Sequence, residues 1–517
     1  MRGVKLTAGS NPALSANHAV KMRLLAHFFC LFFGTAMDSA LPTTSQLIEF
    51  HAAVRPGRWA LHCANEDISY ARLNADLKTV TNYLAGLTAD CSKQSVVEVC
   101  IDDLYLNWLV LLGLENVGLC SSSVAAVEHV TLKAELWPAS LILCTEKTKS
   151  NKPIRTVCID RQLLLADASS TRQTNGPVQY ALSDTLRMLK TSGTTGLPKR
   201  IALNRNMFEG WVARWSWFCN YEPQSVCWIN APFSVGGMYA TATACIRAGG
   251  AVVLNDAISF RDAWQRYRVT HATLLPIELT SILQMKGGTA IQAPKMMLTV
   301  FGGAVPAAHF DWALDTIAHD VVDMYGTNEV GFIGIRRRDM VDVGLLILPG
   351  VELDICDEFG NRLDQGIEGH VRIKTAHMAH NYVDTQSPQS ENFKDGWFWP
   401  GDLGQITEQG LLKLVGRQDD LLNMGGVKVN PASMEAEYKK LPYLSDVAMV
   451  MKTSGATRDL IAIAIVPNED KAVEKMQAHV AATLKGFSAF VVVQAVNVIP
   501  RTATGKVERL KLRQMLD

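Results

Sequence analysis

Four short apolar runs, "SVVEVCIDD", "SLILCTE", "GGAVVLND" and "HATLLPI", constrain this chain more than any other feature of it. Each is only a few residues long, rich in branched aliphatic side chains and free of strict polar alternation. That is the pattern of a strand buried on both faces. Between them lie stretches with helical spacing, among them "NWLVLLGLENVG" and "FRDAWQRYRV". Strand–helix alternation predicts mostly parallel sheets covered by helices on both faces, an α/β fold. After about residue 343 the texture changes. "VELDICDEFGNRL", "EGHVRIKT" and "GLLKLVGRQDD" read as short strands joined by Gly and Asp turns, an antiparallel patch. Helix and strand return from "PASMEAEYKKLP" to the end, with a boundary expected between Arg417 and Asp420. At 517 residues the chain exceeds one ordinary core, so more than one domain is expected.

One segment breaks the apolar rhythm. "MLKTSGTTGLPKRIAL", residues 188–203, carries four hydroxyl side chains and two glycines between apolar flanks. Glycine tolerates the dihedrals that let several backbone N–H groups converge on one anion. Thr191, Ser192, Thr194 and Thr195 add hydroxyl donors around Gly193 and Gly196, and Lys199 adds a positive charge. Such a loop suits phosphate. It is not the P-loop pattern, because its glycines stand three apart and Lys199 is followed by Arg200. Lys plus Arg and Asp plus Glu are 50 each, so no excess of positive charge points to nucleic acid. The eleven cysteines include no C-x-x-C pair and read as mostly buried, reduced thiols. The N-terminal "KMRLLAHFFCLFFGTAMDSALP" has the outline of a secretory signal, but its apolar run from Leu24 to Gly34 is too short to span a bilayer. Met37 reads as the natural start with residues 1–36 as an upstream extension, and residues 1–42 together are an N-terminal extension or signal-like segment ahead of the first domain. No stable membrane insertion and a cytoplasmic location are expected.

The order Thr191-Ser-Gly-Thr-Thr-Gly-x-Pro-Lys199 resembles the phosphate loop of the adenylate-forming superfamily, which includes acyl-CoA synthetases, luciferases and adenylation domains. Further segments resemble that family's motifs in the same order. They are "FGGAVP" (Phe301–Pro306), "DMYGTNEVG" (Asp323–Gly331), "VGLLILPGVEL", "DGWFWPGDLG", "GRQDDLLNMGGVKVNPASMEAE" and "PRTATGK" (Pro500–Lys506). The resemblance covers nearly the whole chain after residue 43. It implies a large N-terminal domain, residues 43–417, of two α/β subdomains and a β-rich subdomain. A small, mobile α+β C-terminal domain, residues 418–517, would follow.

The resemblance also implies roles. The Thr191–Lys199 loop would hold the β- and γ-phosphates of ATP. Gly302, Gly303 and Ala304 would lie beside the adenine, bordered by Asp323, Met324 and Tyr325, with Tyr325 stacking. Gly326, Thr327 and Asn328 would complete the nucleotide site. Glu329, with Thr195, would bind Mg²⁺, an ion that prefers oxygen ligands. Asp402 would accept hydrogen bonds from the ribose hydroxyls, and Arg417 would reach ribose or phosphate. Lys506 would bridge the carboxylate and the α-phosphate, so Lys506 and Glu329 are the expected catalytic residues. Asp419 matches the hinge. Gly425, Gly426 and Lys428 would approach the pantetheine arm of CoA or of a carrier protein. Phe233 and Ser234 would face the acyl pocket.

The chain departs from the pattern at several places. Asn328 stands where a threonine is usual and Lys190 where an aromatic often precedes the loop. Asn423 replaces a frequent lysine and Ser433 a frequent glutamate. In "APFSVGGMY" no histidine gates the pocket, and no Asp beside Phe233 would pair an α-amine, which argues against α-amino acid substrates. The Trp-rich "WVARWSWF" reads as helix packing. The resemblance implies attack of a carboxylic acid on ATP to give an acyl-adenylate, then transfer to CoA. The alternatives are a freestanding enzyme that passes the acyl group to a carrier protein or an amine, and a non-catalytic nucleotide-binding homologue.

Overall fold

The structure is a computed structural model. It describes residues 42–63, 66–124, 139–145, 154–166, 181–190, 199–254, 259–284, 294–303, 305–383, 392–418, 422–424, 427–429, 431–454, 458–483, 491–501 and 507–516. Residues 44–517 form one compact unit, preceded by a unit of residues 1–43. Thr191 to Gly196, Ala304, Asp419, Gly425, Gly426 and Lys506 lie outside the described residues, as does the side chain of Lys428.

All four apolar runs are strands of two mainly parallel sheets. In the first, the order is Thr156–Cys158, Leu141–Cys144, Val96–Cys100, Cys120–Ser123, Thr185–Lys190 and Arg200–Asn204. The first five of these run parallel and the last is antiparallel. In the second, Trp59–Cys63, Ala251–Leu254, Val226–Ile229, His271–Leu274, Met296–Phe301 and Ala318–Thr327 run parallel at the centre. Antiparallel partners close both ends of that sheet: Glu66–Ser69 at one, Gly331–Arg336 and then Leu346–Ile347 at the other. One core cluster draws on both sheets and on the helices Leu104–Asn116, Arg205–Cys219 and Gly236–Arg247. The helix Leu104–Asn116 is buried on every side, as its largely apolar sequence requires. Asp103 caps it by accepting from the Leu106 N–H at 2.8 Å.

The β-rich patch is a third, antiparallel sheet. Its strands are Glu352–Cys356, Gly369–Lys374, Phe393–Lys394, Trp397–Phe398, Asp402–Ile406 and Leu412–Arg417. The segment "VGLLILPGVEL" divides between two sheets, because Leu346–Ile347 pairs with Gly331–Arg336 while Glu352–Cys356 pairs with Gly369–Lys374. Beyond Gln418, the strands Leu444–Ser454, Arg458–Pro467 and Val491–Ala495 form a separate sheet. Helices Pro431–Tyr438, Ala472–Thr483 and Arg509–Leu516 accompany it, and it has apolar clusters of its own. A large α/β part with a smaller α+β C-terminal part is therefore the fold.

A charged cluster lies against the main core. Arg205 reaches Glu115 at 3.3 Å and Glu209 at 2.7 Å, and Glu209 receives both guanidinium arms of Arg247 at 2.6 and 3.1 Å. Burial alone would raise the Glu209 carboxyl, but Arg247 and Arg205 outweigh it and hold that carboxyl below the usual glutamate range. A depressed carboxyl stabilises the fold above its unfolded pKa and loses that contribution as the pH falls through the folded one. Glu209→Leu should strand Arg247 in an apolar wall and cost about 3–5 kcal/mol at pH 7. Chemical denaturation at pH 7 and at pH 3 checks this: the deficit of the variant should shrink at the lower pH.

Candidate active site

A cleft of about 910 Å³ opens where the parallel strands of the second sheet end. In open α/β sheets ligands bind beyond the carboxyl ends of the strands. The strand Met296–Phe301 ends in Phe301 and Gly302, both in the cleft wall. Gly302 has φ +96°, a conformation that favours glycine. The next strand, Ala318–Thr327, turns through Asn328, Glu329 and Val330 into Gly331–Arg336. Thr327 pairs with Gly331, so three residues form the loop, and Gly331 takes φ +79°. Gly331, the first residue after that loop, holds a left-handed conformation that favours glycine. The loop thrusts Asn328 and Glu329 into the cleft.

Glu329 is 6 % exposed. Burial pushes its carboxyl above the ordinary range, against its own backbone N–H and the hydroxyl of Tyr382. That hydroxyl donates to Glu329 Oε1 at 3.0 Å. The same tyrosine ring carries Lys199 Nζ 4.8 Å from its centre, a cation–π contact. Lys199 also donates to Asn392 Oδ1 at 2.9 Å, and Asn392 in turn donates to the Trp399 carbonyl at 2.9 Å. Asn328 donates to the Lys190 carbonyl at 2.8 Å. Lys190 and Arg200 are paired on neighbouring strands, so both ends of the hydroxyl-rich segment 191–198 are fixed beside Glu329.

Asp402 and Arg417 face each other across a strand pair, with Arg417 Nε 3.4 Å from Asp402 Oδ1. Arg417 Nη2 donates to the Pro400 carbonyl at 2.7 Å. Tyr325 donates its phenolic hydrogen to Asp402 Oδ2. Burial and the charge of Asp402 raise the Tyr325 phenol well above its usual range, so it stays a donor.

The described wall of this one cleft thus takes in Lys199, Gly302, Gly326, Thr327, Asn328, Glu329, Asp402 and Arg417. Other expected site residues lie elsewhere. Asp323 is buried in an ion pair with Arg336 at 2.5 Å and accepts from the Val305 N–H at 3.1 Å, so it braces the 302–305 turn instead of lining the cleft. Met324 alternates into the core, as neighbours on a strand must. Gly303 is exposed, close to Pro276. Phe233 is fully buried between Trp108 and Tyr239, at ring separations of 5.0 and 5.7 Å. It is a core residue, and half-buried Ser234 is not in the wall either. The next positions, Val235 and Gly237, are.

Five contributors had no distinctive sequence signal or were misread. Tyr382 and Asn392 follow Glu329 by more than fifty residues and lie in no motif, and Trp399 stands inside "DGWFWPGDLG" without a spacing that marks it. Trp211 and Trp215 do pack their helix, as expected, but they also form the apolar end of the cleft. Trp211 fits only because glycines flank it. A Cβ on Gly331 would lie 2.5 Å from its Nε1, and one on Gly236 would lie 3.1 Å from its Cζ3.

A buried carboxylate of raised pKa, with one hydroxyl donor and open cleft beside it, suits a hard divalent cation. Binding such an ion would restore the charge that burial disfavours. Because its folded pKa is raised, Glu329 costs the empty protein stability as pH rises past the unfolded value. Glu329→Gln should therefore melt at an equal or higher temperature at pH 7.5, yet lose about 100-fold or more in Mg²⁺-dependent turnover. A lower melting temperature with unchanged turnover would assign this carboxylate to folding alone.

Residues 48–383 match the family model described as AMP-binding enzyme. Indoleacetate–CoA ligase from Aromatoleum aromaticum is 23% identical to this chain over 509 residues, 91% of this chain and 98% of its own length. Fatty acid–[acyl-carrier-protein] ligase ScoC from Streptomyces coeruleorubidus is 24% identical over 513 residues, 92% of this chain and 96% of its own. Among solved structures, O-succinylbenzoate coenzyme A synthetase from Bacillus subtilis, in complex with ATP and magnesium ion, superposes with a TM-score of 0.77. It shares 18% identity, over 90% of this chain and 99% of its own.

Proposed function

The chain belongs to the AMP-binding enzyme family, and on that premise we propose that it is an AMP-forming acid–thiol ligase that makes acyl-CoA. In the first half-reaction a carboxylate attacks the α-phosphate of ATP and pyrophosphate leaves. In the second, the thiol of CoA displaces AMP from the acyl carbon. One observation carries the reading. Lys199, Asn328, Glu329, Asp402 and Arg417, from three sheets, converge on one cleft.

In this reading Lys199 and the 191–198 segment neutralise the terminal phosphates, and Tyr382 keeps Lys199 and Glu329 at a fixed spacing. Glu329, with Thr195, holds Mg²⁺, which when bound neutralises phosphate charge. Asp402, oriented by Tyr325 and Arg417, accepts from the ribose hydroxyls. Gly302, with Ala304, leaves room for the adenine. Residues 418–517 act as a separate C-terminal domain that pivots at Asp419 and brings Lys506 to the reacting carboxylate, then Gly425, Gly426 and Lys428 to the thiol. Their own sheet and apolar clusters support that division. Among the described residues no helix is long and apolar enough to cross a membrane. A cytoplasmic site of action, with its ATP and CoA, fits this chemistry.

The acyl end of the cleft narrows the substrate. Trp211, Trp215, Val235, Phe301 and Phe332 are its walls, and Phe332 meets Trp215 edge-on at 4.4 Å. The described cations of the cleft are placed elsewhere: Lys199 at Tyr382, Arg417 at Asp402, and His370, Arg372 and Lys394 on the antiparallel sheet. A second carboxylate would have no counter-charge among the described residues of this wall. The substrate is a monocarboxylic acid with an aromatic or compact apolar tail.

A panel of acids, read by pyrophosphate release with and without CoA, tests this. Aryl and medium-chain monocarboxylates should release pyrophosphate with AMP, and short dicarboxylates and α-amino acids should not. ADP and phosphate as products would refute adenylation, and acyl transfer only to a carrier protein would replace CoA as acceptor. Gly331→Ala should push Trp211 into the cleft and lower kcat/KM for the bulkiest acid by about 10-fold or more, one methyl group being worth up to that much in a tight site. Because Gly331 at φ +79° also shapes the turn that presents Glu329, the ATP KM of this variant should rise as well.

A second test separates the half-reactions. Lys506→Ala should slow adenylate formation by about 100-fold or more. Supplied with presynthesised acyl-adenylate and CoA, the same variant should form thioester at close to the wild-type rate. Single-turnover measurements that show equal loss in both steps would remove the two-orientation reading.

A further inference from the structure

Three cysteines stand side by side at the carboxyl edge of the first parallel sheet. Cys100 is in register with Cys144, and Cys144 is in register with Cys158. Directly opposed residues of neighbouring strands project to the same face, so the thiols form a row across three strands. Cys100 and Cys144 are buried, while Cys158 is exposed on the edge strand Thr156–Cys158. The Cys144 and Cys158 sulfurs are 3.6 Å apart. None of the three lines the cleft, and nothing in the proposed chemistry uses them.

Adjacent strands lie ~4.8 Å apart, inside the ~4.4–6.8 Å window of Cα separations that a disulfide spans. The sulfurs need close only the remaining gap. Among the described residues Thr156–Cys158 pairs on one side alone, so a small shift of this edge disturbs no further described strand.

We propose that Cys158 and Cys144 are a reversible thiol-oxidation site, closing to a disulfide when hydrogen peroxide reaches the exposed Cys158. The Cys158 thiolate attacks one peroxide oxygen. The O–O bond breaks, and the leaving hydroxide takes up the thiol proton as water, leaving a sulfenic acid on Cys158. The Cys144 sulfur then attacks the Cys158 sulfur. The S–S bond forms, the S–O bond breaks, and the hydroxyl departs as a second water with the Cys144 proton. Two thiols are oxidised by two electrons and one peroxide is reduced to two waters. The order follows from exposure: solvent reaches Cys158, whereas burial pushes the Cys144 thiol up to about 12. Cys144 is therefore a poor first nucleophile, and adjacency makes it an effective second one. Closure also shields Cys158 from irreversible oxidation to sulfinic acid.

The test uses the full native chain with near-stoichiometric peroxide, thiol counting and non-reducing peptide mapping. The wild type should lose two thiols and two hydrogens of mass, give one cross-linked peptide pair joining Cys144 to Cys158, and recover fully with dithiothreitol. Cys158→Ser should react at least about 10-fold more slowly, since among the described residues no exposed thiol remains beside Cys144 to begin the exchange. Cys144→Ser should instead stop at a sulfenic acid on Cys158, trapped by dimedone. A cross-link between Cys100 and Cys144, first oxidation at half-buried Cys91, wild-type rates in Cys158→Ser, or direct passage of wild-type Cys158 to sulfinic acid would each overturn the proposal. Cys158 is exposed, so its variant should fold; circular dichroism and melting of all three proteins confirm that each comparison is between folded chains.

Discussion

Burying the carboxylate of Glu329 is the constraint around which the rest of the cleft is arranged. An ionised carboxylate in apolar surroundings is unfavourable by several kcal/mol unless something meets its charge. The turn before Gly331 sets the backbone of Glu329 so that the residue is buried at the cleft wall. Tyr382 supplies one hydrogen bond, and the charges of Lys199 and Arg417 sit around the same space. The remaining deficit makes the site attractive to a cation. A cleft tuned to be fully satisfied when empty would have less to gain from binding one.

Two sheets meet at that hairpin. Asn328 belongs to the second sheet and Lys190 to the first, and their 2.8 Å hydrogen bond ties the turn that bears Glu329 to the strand that leads into residues 191–198. The amide of Asn328, where a threonine is usual in the family, reaches a carbonyl that a shorter hydroxyl side chain would approach less easily. The third sheet contributes Asp402 and Arg417 as opposed residues of one strand pair, which fixes their spacing by backbone hydrogen bonds. Positioning thus rests on sheet register, the stiffest element available, while the side chains that close the acyl end are large aromatics wedged by glycines.

That wedge couples the aromatic end of the cleft to the hairpin that bears Glu329. Gly331 shapes the turn that presents Glu329 and, lacking a Cβ, also leaves the space that Trp211 fills. One backbone position therefore serves both the carboxylate and the pocket. A change made to admit a larger acid risks disturbing Glu329, which favours adjusting Trp215 or Val235 to alter specificity.

The sequence by itself determined the α/β class, the switch to an antiparallel patch near residue 343 and the hydroxyl–glycine segment. Those properties are local: apolar runs, turn residues and loop chemistry act over a few neighbours. It also marked Lys199, Asn328, Glu329, Asp402 and Arg417, because each stands in a short motif. Only the tertiary structure decided which flank of "APFSVGGMY" faces the ligand, since Phe233 turns into the core against Trp108 and Val235 turns out. It alone paired Asp323 with Arg336 across a hairpin and withdrew that carboxylate from the cleft. Tyr382 and the Trp211–Trp215 wall were invisible for the same reason. Their partners are remote in sequence, and a contact between distant residues is set by strand register and helix packing, which no local pattern records.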